Sequence, residues 1–329
     1  MLDHRARVIS WLFLLQATLT IATAGPATAP EYLPLWVAQA EGYFSEEKLA
    51  VTLEPTRAEA SAAEALARGQ ADLAATSLDA ALTLGTHAGA PPRLVFGLTA
   101  TPAVALLVPV ARKETLRSLD DLAGTTVGVP APGTPSEFML LALLARAGIR
   151  IPRVTVKSYG ERGLAGALES GEVAAGMLGD PYATRLIEDG KAVALVDLRQ
   201  RGEAERWLGE PGVHAALFAR ADATLGPAAL KPLARALLRA LARIQTATPD
   251  ELRAGLPAAT VGFPEDFSAR VLGAHQIFLQ DGWVTPEMLK ASIALVRSRG
   301  PIPAKVKLPR SMEQLLLTGP LGEVLESPR

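Results

Sequence analysis

The segment LARGQADLAATS, residues 66–77, contains the local pattern that decides the fold. It opens with the end of an alanine-rich helix predicted over residues 60–68, which stops at Gly69, a residue that commonly ends helices. Residues 72–76 predict a short buried strand, and Ser77 is placed to cap the helix that follows. Helix, buried strand and helix in close succession are typical of a parallel sheet flanked by helices.

The same alternation extends on both sides of this segment. A helical stretch is predicted over residues 33–47 and strands over residues 50–54 and 93–98. A second series follows, with strands over residues 103–110, 126–129, 154–157, 173–178 and 192–196 and helices over residues 118–124, 134–147, 163–170 and 182–189. Apolar periodicity predicts further helices over residues 228–246, 249–255, 265–280 and 286–299. The pattern predicts an α/β protein of two lobes, each a mostly parallel sheet flanked by helices.

A chain of 329 residues is long enough for two lobes with separate cores. We expect residues 1–17 to be a leader, 18–102 the first part of lobe 1, and 103–205 lobe 2 with its crossing segments. Residues 206–329 are expected to return to lobe 1 and to supply the C-terminal helices. The crossings between the lobes are predicted near residues 101–110 and 199–218.

The N-terminus has the pattern of an export signal. His4, Arg5 and Arg7 form a positively charged start, residues 8–15 form a short apolar run, and Ala22–Thr23–Ala24 has the small-x-small form of a cleavage site. The apolar run is too short to span a bilayer as a stable helix. These features predict export to the periplasm or another extracytoplasmic space.

Residues 18–24 also have the β-branched character of a strand, which ends at Gly25. Cleavage after Ala24 would remove this strand. We favour a cut near Ala17, because the loop that follows needs a strand to precede it. The alternative, in which residues 19–23 are the tail of the leader, stays open.

Composition excludes several classes of function. The formal net charge is -1 and aromatic residues make up 5%, so neither a nucleic acid nor an acidic membrane surface is expected as a partner. The chain has no cysteine, which removes disulfides, thiolate catalysis and cysteine-ligated zinc. Its four histidines are scattered, with no pair at helical metal-binding spacing. No metal and no cofactor are predicted.

Three stretches in this order resemble a known family. They are PLWVAQAEGYF with the following LAVTLEP, at residues 34–44 and 49–55, LARGQADLAATS, and SLDDLAGTTVGVPAPGT with the later GDPYA, at residues 118–134 and 179–183. Together they resemble the solute-binding proteins of ABC importers in the sulfonate, taurine, nitrate and thiamine-pyrimidine-precursor branch. The resemblance implies a type II periplasmic-binding-protein fold whose two lobes close on a small molecule. It also implies ABC permease subunits as partners and a monomeric protein without catalytic activity.

In open parallel sheets, ligands bind beyond the carboxyl ends of the strands. This rule selects loops in both lobes. The candidate ligand-binding residues on or beside them are Tyr32, Arg57, Ser77, Thr99, Gly133, Thr134, Ser136, Tyr159, Asp180 and Tyr182.

The turn around Gly133, Thr134 and Ser136 is the strongest of these candidates. Thr134 and Glu137 have the spacing of a capping box, and a helix N-terminus attracts anions. The resemblance also places a ligand-contacting serine or threonine here. The alternative is that these residues only cap the helix.

Arg57 is suited to bidentate pairing with a carboxylate, sulfonate or phosphonate, whereas Glu59, Glu137 and Asp180 oppose an anion. We predict a small organic ligand with an acidic group.

The other candidates have structural alternatives as well. Ser77 either contacts the ligand or caps a helix, and Thr99 either lines the cleft or bonds locally. Asp180 either binds the ligand or caps the helix after Pro181. Tyr32, Tyr159 and Tyr182 each offer an apolar face and a hydroxyl, but each is equally suited to packing.

Two other functions compete with solute binding. One is an enzyme of the same fold that acts on a molecule like a pyrimidine precursor. The synthases related to this branch use a cysteine-rich motif and a histidine, and this chain has no cysteine and no histidine on a selected loop. The other is a sensory binding module without a permease.

Overall fold

The computed structural model describes residues 17–209, 212–299 and 302–327. The charged start and the apolar run of the predicted leader lie outside these residues. No helix in the described part of the chain is long and apolar enough to cross a membrane.

The described residues form ten strands in two sheets. The strands are β1 (Ala17–Thr23), β2 (Leu49–Pro55), β3 (Leu73–Ser77), β4 (Arg93–Thr99), β5 (Val104–Pro109), β6 (Thr126–Val129), β7 (Thr155–Ser158), β8 (Ala175–Gly179), β9 (Ala192–Asp197) and β10 (Ala215–Ala219). The first sheet has the order β2-β1-β3-β10-β4, and the second has the order β7-β6-β8-β5-β9.

A single strand in each sheet runs against the other four. In the first sheet β10 is antiparallel to β3 and β4, while β1 is parallel to β2 and β3. In the second sheet β5 is antiparallel to β8 and β9, while β6 is parallel to β7 and β8. The chain leaves the first sheet between β4 and β5 and returns to it at β10. The two mostly parallel sheets confirm the predicted fold class.

Helices connect the strands. They are α1 (Leu33–Ala40), α2 (Tyr43–Glu46), α3 (Glu59–Ala67), α4 (Leu78–Leu84), α5 (Pro135–Arg146), α6 (Glu161–Ser170), α7 (Tyr182–Glu188), α8 (Arg201–Leu208), α9 (Pro227–Thr246), α10 (Pro249–Gly255), α11 (Ala258–Val261), α12 (Pro264–Ala274), α13 (Pro286–Arg299) and α14 (Gly319–Glu326). Short 3-10 turns lie at Pro30–Tyr32, Val110–Arg112, Leu119–Leu122, Ile151–Arg153 and Met312–Leu315. Ser77 caps α4 as predicted, since its hydroxyl accepts a hydrogen bond from the N–H of Ala80 at 3.3 Å.

Two predicted helices were too long. The helix predicted over residues 33–47 is split into α1 and α2, because Gly42 takes a left-handed conformation with φ 74°. The helix predicted over residues 265–280 ends at Ala274, after which the main-chain oxygen of Ile277 accepts from the N–H of Ala100. Helices α8, α11 and α14 were not predicted.

Each sheet has its own core. The first lobe, defined here as the first sheet with the helices packed on it, has a core that runs from Leu19 to Leu321 and includes elements after β10. The second lobe is built around the second sheet, and both faces of this sheet are buried. Leu106 and Val108 of β5 point into one cluster, and Ala105 and Leu107 point into the other.

Residues 18–23, for which two interpretations were open, belong to strand β1. It pairs with β2 on one side and β3 on the other, and its residues Leu19 and Ile21 are buried in the first core. Cleavage after Ala24 would therefore remove an interior strand of the sheet.

Replacing Ile21 with alanine should destabilise the protein by about 2–5 kcal/mol, because it leaves a cavity in an interior strand. Thr18 on the same strand is exposed, and Thr18→Ala should change the free energy of unfolding by no more than about 0.5 kcal/mol. Urea unfolding of both variants measures the difference. Equal effects of the two substitutions would contradict the interior position of β1.

Candidate functional site

A cleft of about 320 Å³ lies between the two lobes. The first lobe contributes the turn after β1, the start of α3, the ends of β3 and β4, and helix α4. The second lobe contributes the turn before α5 and the first part of that helix, while α13 and the segments that cross between the lobes close the remainder. The cleft thus lies beyond carboxyl ends of strands, as expected for an open parallel sheet.

The structure brings four of the predicted site residues to this cleft. Tyr32, Ser77, Thr99 and Gly133 line it. The other six, Arg57, Thr134, Ser136, Tyr159, Asp180 and Tyr182, are not part of its lining.

Arg57 is exposed at the surface. Tyr159 and Tyr182 are half-buried and pack against the second-lobe core. Burial and the nearby Glu172 raise the pKa of Tyr159.

The Glu59 carboxylate is held at the cleft by three donors from the first lobe. Tyr32 donates its hydroxyl to Glu59 at 2.8 Å, Thr76 donates its hydroxyl at 2.7 Å, and the N–H of Ser77 donates at 2.5 Å. Burial raises the pKa of Glu59, and these hydrogen bonds oppose the rise because they favour the charged form. Tyr32 is buried, and its pKa is raised well above the ordinary value by burial and by Glu59.

Glu31 is a second carboxyl group in the cleft, which the sequence analysis missed. It lies in the turn after β1 and is half-buried. Burial raises its pKa to about 7, its own main-chain N–H opposes this, and the negative charges of Glu59, Glu161 and Asp180 add to the rise. Among the described residues no ion pair is formed by Glu31. Glu31 lies directly before Tyr32, on a loop that the strand-end rule selects. This position in the sequence could have identified it as a candidate.

The turn before α5 is closed by its own side chains. The N–H of Gly133 donates to Glu137 at 2.7 Å, and the Thr134 hydroxyl accepts from the N–H of Glu137 at 3.4 Å. The same hydroxyl donates to the main-chain oxygen of Ala131 at 2.7 Å. Ser136 is buried in the first turn of the helix. The capping role of this turn is therefore present, and a carboxylate of the chain itself occupies the positive end of α5.

Asp180 belongs to a buried ion cluster behind the cleft. Arg199 donates to both oxygens of Asp180, at 2.8 and 3.0 Å, and to both oxygens of Asp197, each at 2.8 Å. The side chains of Arg199 and Asp180 are only 6% and 3% exposed. Asp180 also accepts from the N–H of Thr184 in the first turn of α7. Its oxygens are therefore used inside the protein.

A contact between α12 and α7 joins the two lobes near this cluster. Phe267 and Val271 fix α12 to the first-lobe core. A Cβ atom on Gly273 of α12 would lie 1.7 Å from Oδ2 of Asp180. Asp266 of α12 forms an ion pair with Arg185 of α7 at 2.6 Å. The lobes therefore touch at a position that only glycine fits.

Solved structures share this architecture. A protein of Bordetella bronchiseptica RB50 has a TM-score of 0.72 and 25% sequence identity, with 94% of this chain and 97% of that chain covered. The periplasmic aliphatic sulphonate binding protein SsuA from Escherichia coli has a TM-score of 0.67 and 19% identity, with 86% and 90% covered. The alkanesulfonate-binding protein SsuA from Xanthomonas axonopodis pv. citri, bound to MOPS, has a TM-score of 0.62 and 19% identity, with 92% and 98% covered. No curated protein matches the chain in sequence.

The two five-stranded sheets and the cleft between them define the periplasmic-binding-protein fold of ABC importers, as the resemblance implied. The family model described as NMT1/THI5 like matches residues 29–250. The chain belongs to the NMT1/THI5-like family. The two SsuA neighbours are described as sulphonate- and alkanesulfonate-binding proteins, and their similarity to this chain is one of fold.

Glu31→Gln should make the stability of the protein less dependent on pH. The pKa of Glu31 is about 7 in the folded protein against an ordinary value of 4.5, so the folded state loses stability as the pH rises between these values. We expect the advantage of the variant over wild type to grow by about 2 kcal/mol between about pH 5 and pH 8. Urea unfolding at both pH values measures it. The exposed Glu54 on β2 gives the control Glu54→Gln, and an equal pH response in both variants would refute the assignment.

Gly273→Ala should push the lobes apart. Alanine favours a helix over glycine by about 0.5–1 kcal/mol, but here its Cβ meets Asp180, which Arg199 holds in place. The control is Gly166→Ala in α6, where a Cβ meets no atom within 4 Å. We expect the control to gain stability and Gly273→Ala to show a larger radius of gyration by small-angle X-ray scattering. Identical scattering and stability in the two variants would show that the contact does not hold the lobes.

Proposed function

We propose that this protein is the extracytoplasmic solute-binding component of an ABC importer and that it captures a small molecule in the cleft between its lobes. The observation that carries the proposal is a cleft of about 320 Å³ at the strand ends of two sheets. This volume is in the range of ligand sites. ABC permease subunits are the proposed partners of a monomeric binding protein, and the similarity to the SsuA proteins supports this role.

Binding without catalysis suits the polar groups of the cleft. Ser77, Thr99 and Ser292 line it, and each hydroxyl accepts a hydrogen bond from a main-chain N–H. Such bonds fix the loops that carry these hydroxyls, and His214 also lines the cleft. Of the predicted ligand contacts, Tyr32, Ser77, Thr99 and Gly133 are retained in the proposed site because they line the cleft.

Export through the N-terminal leader is part of the proposal. The position of β1 supports a cut close to Ala17, since a later cut would remove residues that pair with both β2 and β3. The SsuA protein from Escherichia coli, whose fold this chain shares, is described as periplasmic.

An acidic ligand, expected from Arg57 and from the turn at Gly133, gains no support from the cleft. Arg57 does not line it, and no lysine or arginine is among its described lining residues. The N–H of Gly133 is bonded to Glu137.

Filling the cleft should abolish capture. Thr83 of α4 lines the cleft, and Thr83→Trp places a large side chain in the space that a ligand would occupy. The matched control is Thr115→Trp at an exposed position outside the cleft. After incubation with a small-molecule extract of growth medium, native mass spectrometry should find a bound molecule on wild type and the control and none on Thr83→Trp.

The same measurement separates the competing functions. A molecule that is released unchanged agrees with solute binding, whereas a chemically altered molecule would favour an enzyme. Equal retention by Thr83→Trp and the control would place the site elsewhere.

A further inference from the structure

Carboxyl groups set the electrostatic character of the cleft. Glu31, Glu59 and Asp79 line it from the first lobe, and His214 is the histidine in the lining that the structure describes. Glu161, at the start of α6 in the second lobe, is close enough to add its negative charge to the environment of Glu31. The lining that the structure describes includes no lysine and no arginine. A cleft of this composition attracts positive charge.

Arg199 and Arg270 are the buried guanidinium groups of the described residues, and neither forms an ion pair with Glu31 or Glu59. Arg270 donates to the main-chain oxygens of Thr28, Thr260 and Val261. Arg199 is bonded to both oxygens of Asp197 and both oxygens of Asp180. Two carboxylates around one guanidinium leave the ion cluster with a formal charge of about minus one. Asp180 of this cluster adds its negative charge to the environment of Glu31 and contributes to the rise of the Glu31 pKa.

Glu31 and Glu59 differ in how much of their hydrogen-bonding capacity is used. Tyr32, Thr76 and Ser77 donate to Glu59, which fixes its position. Glu31 receives only its own main-chain N–H among the described groups. A carboxylate accepts up to about four hydrogen bonds, so Glu31 has acceptor capacity left for a donor in the cleft.

The rest of the cleft wall is mainly apolar. Leu78 and Leu84 come from α4, Val104 from β5, Phe138 and Met139 from α5, and Val296 from α13. Apolar walls with one polar end select a ligand whose body is apolar and whose polar group lies at one end.

An anionic ligand would be opposed in two ways. A sulfonate or carboxylate beside Glu31 and Glu59 would meet like charges in a partly water-excluded space, where repulsion is stronger than in bulk water. The turn at Gly133, the anion-attracting feature of the sequence, is occupied by Glu137.

We propose that the cleft takes a small organic cation, in which a protonated nitrogen donates to Glu31 and an apolar body packs between α4 and α5. The proposal rests on the solute-binding role proposed above and names the ligand class for the same site.

The test compares probes of equal shape and different charge. Benzylammonium and benzamidinium are the cationic probes, benzenesulfonate is the anionic probe, and benzyl alcohol is the neutral probe. A small-molecule extract sorted on cation and anion exchangers into cationic, anionic and unretained fractions provides natural compounds. Thermal shift screens all of them at about pH 8, where Glu31 is ionised because its pKa is about 7, and calorimetry gives the affinity of each probe that binds.

We expect a cationic probe or the cationic fraction to raise the melting temperature and the anionic materials to leave it unchanged. Glu31→Gln should weaken binding of that cation by about tenfold or more, as loss of a charged hydrogen bond does. Glu54→Gln, which removes an exposed carboxylate outside the cleft, should leave the affinity unchanged. Thr83→Trp should abolish the shift.

Each other outcome overturns a defined part of the proposal. A shift that depends on Thr83 and occurs only with anionic or neutral materials would refute the organic cation and retain solute binding. Equal cation affinity in Glu31→Gln and Glu54→Gln would refute the role of Glu31. The absence of any shift with every probe and fraction would refute the solute-binding role itself.

Discussion

The arrangement of the two lobes depends on the ion pairs that the buried guanidinium of Arg199 forms with Asp180 and Asp197. This guanidinium joins Asp197 at the end of β9 to Asp180 in the turn before α7. Its main-chain oxygen accepts from the hydroxyl of Thr101 in the first crossing segment, at 3.4 Å. Burying charges is unfavourable unless they are paired and fully hydrogen-bonded, so this geometry admits few alternatives. These hydrogen bonds fix the side chain of Asp180. It therefore leaves no room for a Cβ atom on Gly273 of the first lobe.

The same requirement explains the polarity of the cleft. Asp180 and Asp197 are neutralised in part by Arg199, Glu137 satisfies the turn before α5, and Glu59 is surrounded by donors. These four carboxylates near the cleft thus accept hydrogen bonds from groups of the protein itself. Glu31 accepts from its own main-chain N–H, and the hydrogen bonds given for the described residues include no further donor to it. Its carboxylate can therefore accept a hydrogen bond from a ligand in the cleft. The proposed binding role therefore falls to a carboxylate whose acceptor capacity the described residues leave unused.

Local patterns in the sequence predicted the fold well, because strand and helix signals depend on neighbours along the chain. The cap at Ser77 and the strand before Gly25 follow from such signals. The site was harder to predict, since its properties depend on distant residues. The role of Asp180 is decided by Arg199, 19 residues later. The raised pKa of Glu31 depends on Glu59 and on Glu161 of the other lobe, and no local pattern reports such a pair.

The position of β1 has a consequence for the order of events during biogenesis. All seven of its residues pair with β2 and its last three pair with β3, and the strand lies next to the segment that we propose to be the leader. A peptidase requires its cleavage site in an extended, accessible form, whereas the folded sheet encloses the residues next to that site. If the proposed leader is cleaved near Ala17, translocation and processing have to take place before the first sheet closes. Residues 17–23 would then flank the cleavage site first and form an interior strand afterwards.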